Sequence, residues 1–437
     1  MGHANFLALP GPVGVESCGQ GTSFILITRK EKNKMPHFDT GNTGFMLIAA
    51  SLVMLMTPGL AFFYGGLVGR KNVLTIMIQS FLSLAVVDVI WFAVGYSLCF
   101  SGGQGSVIGD LKLAFLNGVD LNSAFGDGQI PMFAFIVYQM MFAIITPALI
   151  TGAFANRVRF TAYFIFLVVW LILVYFPLVH MIWGGGMLAQ WGVRDFAGGI
   201  VVHASAGFAA LASVFFVGPR HVKDRGPHSI PLVALGTGLL WFGWYGFNAG
   251  SELRVDQITV TAFLNTDLAA SFAAVTWLIL AWVFEKKPKF LGLLTGSIAG
   301  LACITPAAGY VTPGASIIIG ILSGLVCYLA ITLKNRLHWD DALDVWGVHG
   351  VGGVLGILCL GIFGSLAVNP SGFDGAIRGG WAFLGRQAAS GFGAAAYSFI
   401  IAFAALWVIN KITRVRVAEG EEEVGLDTAQ LGEHAYL

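Results

Sequence analysis

Charge is what this chain has least of. Lys, Arg, Asp and Glu make up 11% of its 437 residues, where a soluble domain carries roughly 25%. So few charges cannot cover a water-facing surface, which excludes an ordinary soluble globule. The formal net charge is +1, so no nucleic acid or other strongly charged partner is implied. Cysteine is also scarce. The five residues (Cys18, Cys99, Cys303, Cys327 and Cys359) form no CxxC pair, and the last four lie in apolar runs as small buried hydrophobes. No nucleophile–base motif and no phosphate-binding loop is present, so neither an enzyme nor a cofactor is expected.

What the chain has instead is apolar length. A helix needs about 20 apolar residues to cross roughly 30 Å of hydrocarbon. Eleven segments qualify: 43–68, 73–100, 131–155, 160–184, 197–217, 229–250, 260–284, 290–307, 314–333, 342–367 and 384–410. Open strands are excluded because their backbone groups would be unsatisfied in lipid. The expected fold is an all-α polytopic membrane protein. Alternate loops then set its orientation. One set holds fifteen Lys and Arg, in "GRK", "NRVR", "GPRHVKDRG", "EKKPK", "KNRLH" and "NKITRVR". The opposite set holds five: Lys112, Arg194, Arg254, Arg378 and Arg386. The N-terminus is therefore expected outside the cell (inner) membrane and the C-terminus in the cytoplasm. The basic cluster "TRKEKNK" (Thr28–Lys34) opposes that orientation. Residues 1–39 are accordingly read as an extension without function, disordered or a mis-assigned start, with Met35 the alternative first residue. The membrane domain then covers 40–410. The outer connection 101–130 is expected to carry short structure, and 411–437 is a polar cytoplasmic regulatory tail.

Ten of the eleven spans divide into five plus five, which makes the halves inverted repeats with one further C-terminal helix. "FFYGG" (Phe62–Gly66) in the first span answers "GWYGFNAGS" (Gly243–Ser251) in the sixth. "DFAGGIVVHASAG" (Asp195–Gly207) in the fifth answers "DVWGVHGVGG" (Asp344–Gly353) in the tenth. Each of the last two sets one His, His203 or His349, among small residues near mid-span. A pseudo-two-fold axis would bring the rings together at the bilayer centre. A single buried neutral His bonding a carbonyl is the plain alternative, but a symmetric intramembrane pair points to function. Glycines such as Gly352-x-x-x-Gly356 would permit close helix approach. Two His are too few for a zinc site, and His180 lies near the outer end of its span, so no metal is expected.

Taken together, "TPGLAFFYGG" (Thr57–Gly66), "HMIWGGG" (His180–Gly186), "WYGFNAGS" (Trp244–Ser251), the two His motifs and the tail "EEEVGLD…LGEHAY" resemble the ammonium transporter family, including its methylammonium permease and Rhesus branches. The resemblance covers about residues 40–437, and its tail is similar to that of bacterial and archaeal members. It implies a homotrimer with a central pore in each protomer. It implies an outer site for ammonium or methylammonium at Trp183 and Ser251, with Tyr138 where many relatives have Phe. Phe142 and Phe247 would gate the pore, His203 and His349 would line it, and Asp195 would stand just under the outer site. A PII-type signalling protein is implied as a regulator at the cytoplasmic face.

The chemistry of these residue types suits that role. Aromatic faces attract a small cation by about 0.5–2 kcal/mol per contact, and a serine oxygen accepts an ammonium N–H. Carrying the charge through a dry barrier costs several kcal/mol at least. Losing a proton removes that cost, and two imidazoles supply alternating donors and acceptors to neutral ammonia. Asp195 also reads as a helix cap, and Asp344 as a cytoplasmic-side cap with a coupling role. Phe142 and Phe247 alone would read as packing, and Trp183 alone as an interfacial belt residue. Two other functions share the fold: a sensor with little flux, and a Rhesus-type channel for neutral gas. Trp183 and Ser251 argue against the second, and no kinase or cyclase domain follows the tail to support the first. The acidic tail is expected to meet the basic loop around Arg220, Lys223 and Arg225, and to pack under the protomers.

Overall fold

The computed structural model describes residues 37–224 and 226–436. Arg225 and most of the 1–39 extension lie outside the described residues. Among the described residues eleven apolar helices follow one another: α1 (Thr40–Leu67), α2 (Arg70–Phe100), α3 (Met132–Ile150), α4 (Phe160–Trp191), α5 (Gly199–Val217), α6 (Ile230–Glu252), α7 (Gln257–Glu285), α8 (Phe290–Ile304), α9 (Pro313–Arg336), α10 (Trp346–Phe363) and α11 (Trp381–Ile412). Ten are long and apolar enough to span, and α8 is the short one at 15 residues. It stops before 307 because Pro306 has no amide to continue the ladder. The starts are chemically marked. Asp39 accepts from the Asn42 amide at 2.7 Å ahead of α1. Asp256 and Thr259 form a capping box on α7. Thr312 precedes Pro313 at the head of α9.

The two halves meet as the repeat requires. Helix α1 lies along α6, and α5 crosses α10. Both histidine helices open on a π-helical turn, Gly199–Ala204 and Trp346–Gly350, a geometry common at functional sites. Glycine explains how closely they cross. A Cβ on Gly207 would lie 2.1 Å from the Gly350 nitrogen, and one on Gly353 would lie 2.8 Å from the His203 Cβ. Gly352 contributes no such approach, since its nearest neighbour would be Cys327 Sγ at 3.5 Å.

The connection 101–130 carries a 3-10 turn and a two-residue antiparallel hairpin, Ala124–Phe125 with Ile130–Pro131. At the other face the tail folds against its own chain. The buried Asp427 carboxylate accepts from the amides of Leu74 (3.0 Å) and Thr75 (2.7 Å) in the first turns of α2. Gln430 accepts from the Phe160 amide at the head of α4 at 2.7 Å. Glu422 accepts from Val222 at 3.0 Å and pairs with Arg416 at 3.3 Å. The tail thus satisfies helix-start amides that would otherwise lack partners. The tail meets the expected loop at Val222, and His221 lies 3.3 Å from Glu419, but Arg220 itself does not pair with the tail. It forms an ion pair with Asp340 at 2.7 Å, because Asp340 lies beside the same loop and is nearly buried.

Candidate functional site

The aromatic residues named from the sequence form one continuous column. Tyr138 and Phe142 are one turn apart on α3, with ring centroids separated by 5.0 Å. Phe142 stands edge-on to Trp183 at 5.9 Å and packs on Phe247 of α6 at 4.2 Å. Phe247 is followed by His203 at 6.1 Å, and His203 by His349 at 5.2 Å, each pair nearly parallel. Phe142 and Phe247 are both 1% exposed, so the column is closed at that level.

Hydrogen bonds fix the upper part. The Trp183 indole nitrogen donates to the Asp195 carbonyl at 2.8 Å, which sets the ring plane. The Tyr138 hydroxyl lies 2.9 Å from the carbonyls of Gly246 and Phe247 and 3.3 Å from the Ser251 hydroxyl. Ser251 donates to the Phe247 carbonyl at 2.9 Å. The phenol therefore ties α3 to the end of α6, its hydroxyl proton held by backbone.

Asp195 precedes α5. Its two carboxylate oxygens accept from the amides of Gly198, Gly199, Ile200 and Val201 at 2.7–3.2 Å. Gly198 sits at φ +120, which an L side chain rarely adopts, so the loop needs glycine there. Burial raises the Asp195 carboxyl above its ordinary range, and the four amides oppose that shift. As a cap it holds the turn carrying His203.

Below the phenylalanines, Nδ1 of His203 lies 3.2 Å from Nδ1 of His349. The partners of His203 decide which ring donates. Thr305 donates to the Leu301 carbonyl at 2.8 Å and accepts from the Trp244 indole at 3.0 Å. Its oxygen lies 3.2 Å from His203 Nε2, and with its own proton committed it can only accept there. His203 therefore carries its proton on Nε2, and its Nδ1 accepts from His349 Nδ1–H. His349 also lines a cavity of about 200 Å3 at the tail-bearing face, with Phe63, Tyr64, Arg220, Asp224 and Asp344. His180 is apart from this pair, with one nitrogen 2.7 Å from Ser106 and the other 2.9 Å from the Cys99 carbonyl. Among the described residues no His, Cys, Asp and Glu group has the arrangement to hold a metal ion.

A model of the Ammonium Transporter Family matches residues 44–436. The chain belongs to that family. It is 45% identical over 400 residues to an ammonium transporter of Bacillus subtilis, covering 91% of this chain and 98% of that protein. It is 41% identical over 399 residues to ammonium transporter Amt1 of Archaeoglobus fulgidus, covering 91% and 99%. The crystal structure of Candida albicans Mep2 superposes with a TM-score of 0.83 at 37% identity, over 91% of each chain. A structure described as a sensor Amt protein gives 0.81 at 32% identity, covering 89% of this chain and 98% of that one. The family is one of transporters and not of enzymes.

One sequence reading needs correcting within this family fold. Asp344 was paired with Asp195 and read as the cap of the His349 helix. The cap is Asp341, whose Oδ2 accepts from the Trp346 amide at 2.8 Å. Asp344 instead pairs with Lys334 at 2.6 Å. Asp341 stands eight residues before His349, as Asp195 does before His203, and that spacing was legible. Trp244 gives no signal of its own in the sequence. Thr305 carried no signal beyond a polar residue beside a proline.

Proposed function

We propose that the protein moves ammonium across the cell membrane, taking it up as the cation and conducting it as ammonia. The observation that carries this is the stacked pair His203–His349, with facing Nδ1 atoms at 3.2 Å, beneath a sealed Phe142–Phe247 contact in a chain of this family. Trp183, Tyr138 and Ser251 would receive the ion, where each aromatic face contributes about 0.5–2 kcal/mol. The Asp195 charge would lower the cost of holding it there. Passing the phenylalanines as an ion costs several kcal/mol at least, so the proton leaves first. Ammonia then exchanges hydrogen bonds with the imidazoles, and the released proton crosses through the histidine pair, so net charge moves. In support of the cytoplasmic placement of the tail, Lys and Arg are concentrated in the loops on its side. A homotrimer in the cell (inner) membrane, and a PII-type protein meeting the tail-bearing face, belong to the same reading.

The deciding experiment is current recording on purified protein in liposomes under an ammonium gradient, with K⁺ as the control. Ammonium and methylammonium currents without a K⁺ current are expected. Potassium current comparable to that of ammonium would remove the reading.

A further inference from the structure

The two capping aspartates are related by position but not by what their oxygens do. Both are buried, and both stand eight residues before a pore histidine. Asp195 spends both oxygens on four amides. Asp341 spends Oδ2 on Trp346, and the Val345 amide also acts on the carboxylate, but its buried Oδ1 has no hydrogen bond of good geometry among the described residues. An acceptor-only carboxylate leaves such an oxygen costly, whereas a protonated carboxyl can place its O–H there. Lys334, 6% exposed in its side chain, spends its ammonium group on the Asp341 carbonyl and on Asp344, not on this oxygen.

We propose that Asp341 is the inner counterpart of Asp195: a positioning residue whose Oδ2 holds the turn carrying His349 and whose Oδ1 takes a proton from the tail-bearing side. This rests on the reading of His203 and His349 as the relay. The step is simple proton transfer, carboxylate plus hydronium giving the carboxyl and water. When Asp341 is ionised, its charge favours a proton on the histidine pair, whose His349 lies eight residues along the same segment. When it is protonated, that field is lost.

The charged groups around it are consistent with such a titration. Lys334 of α9, Asp344 on the same loop, Tyr64 of α1 and Arg157 all lie within its field. Arg220, Lys223 and His338 line the adjoining cavity of about 300 Å3. Burial raises the Asp341 carboxyl and Lys334 only partly offsets it, which leaves it at about 6. Its neighbour Asp340 shows the contrast: burial would raise it too, but the bonds from Arg220 hold it down to about 2. Asp341 is therefore ionised above about pH 6 and protonated below it.

The test uses the full chain in liposomes, with outer pH and ammonium gradient fixed and inner pH taken from about 5 to about 8. Wild-type current should fall through an inflection near pH 6 as the inner side is acidified. Asp341→Asn keeps an acceptor for Trp346 but cannot titrate. It should carry about tenfold less current, equivalent to about 1.4 kcal/mol of barrier. It should retain only the smooth dependence that the proton gradient imposes on both proteins. A purely structural cap would leave the Asn variant with the wild-type inflection. Infrared difference spectra of purified protein should show a protonated-carboxyl band that grows below pH 6 and is missing in Asp341→Asn. The wild-type inflection persisting in Asp341→Asn, or a wild type without that band, overturns the assignment. The band together with no ammonium current at any pH would remove the transport reading and leave the Asp341 assignment standing.

Discussion

His203 and His349 face each other through like atoms: Nδ1 lies 3.2 Å from Nδ1, with the ring planes 22° apart. Two neutral imidazoles in that arrangement hold one proton between them. One ring must donate and the other accept, which is the arrangement the proposed relay requires. A carboxylate in place of either ring puts a fixed charge in a dry passage. His203→Glu and His349→Glu should therefore admit K⁺ or abolish transport, whereas the wild type should exclude K⁺. The double variant with Ala at both positions should lose at least about tenfold of its ammonium current, or about 1.4 kcal/mol of barrier. Unchanged flux and selectivity in that double variant would refute the relay.

Thr305 is the residue that makes the pair directional, because its oxygen accepts from Trp244 and lies 3.2 Å from His203 Nε2. Thr305→Val keeps the shape and removes the acceptor. The buried Trp244 indole then lacks its partner, at a cost of about 1–3 kcal/mol, and His203 is free to take the other tautomer. Reduced thermal stability with reduced ammonium current is expected, and Thr305→Ser should restore both. A Val variant matching wild type in both measurements would show that the hydroxyl sets neither.

The fold was largely readable because lipid leaves the backbone few choices. Runs such as 43–68 and 260–284 have to be helices, and α1 and α7 fall on them. The outer connection 101–130 carries short structure as expected, a 3-10 turn and a hairpin, whereas the Asp256–Thr259 cap that starts α7 before 260 was not read. The site was readable where residues repeat. His203 and His349 stand out as intramembrane histidines in matching helices, and the structure stacks their rings. The direction of the Tyr138 hydroxyl was not legible. It is decided by carbonyls at Gly246 and Phe247, more than 100 positions along the chain. Asp341 was missed for a different reason: Asp344 begins the more conspicuous motif, but α10 starts its hydrogen-bonded turn at Trp346 and draws its cap from five residues back. The tail reaches the expected loop, but through Val222 and not Arg220, which is already taken by Asp340.

The tail should behave as a clasp on α2. Asp427 is buried and bonds both Leu74 and Thr75, including the Thr75 hydroxyl at 2.8 Å. Asp427→Ala removes those acceptors from a helix start, a loss of about 0.5–2 kcal/mol. Limited proteolysis should then cut 418–436 faster than in wild type, with the membrane helices still intact. Asp427→Asn keeps one acceptor and should be intermediate. Equal cleavage rates for the Ala variant and wild type would mean that this contact does not hold the tail.

Asp195 separates electrostatics from capping. Its carboxylate accepts from four amides at the start of α5, and its carbonyl orients Trp183 at 2.8 Å. A unit charge at about 6 Å and an effective dielectric near 20 contributes roughly 3 kcal/mol, an order-of-magnitude figure for a cation held above the phenylalanines. Asp195→Asn leaves the carbonyl to Trp183 and one side-chain oxygen to the amides, but removes the charge. Asp195→Ala removes both oxygens and exposes a helix start, at about 1 kcal/mol or more. If the charge matters to the cation, the Asn variant should lose most ammonium current while its thermal stability stays close to wild type. The Ala variant should lose current and stability together. Ammonium-evoked current and melting temperature, measured on both, separate the two roles: wild-type current in Asp195→Asn would leave the residue a cap for the His203 turn and nothing more.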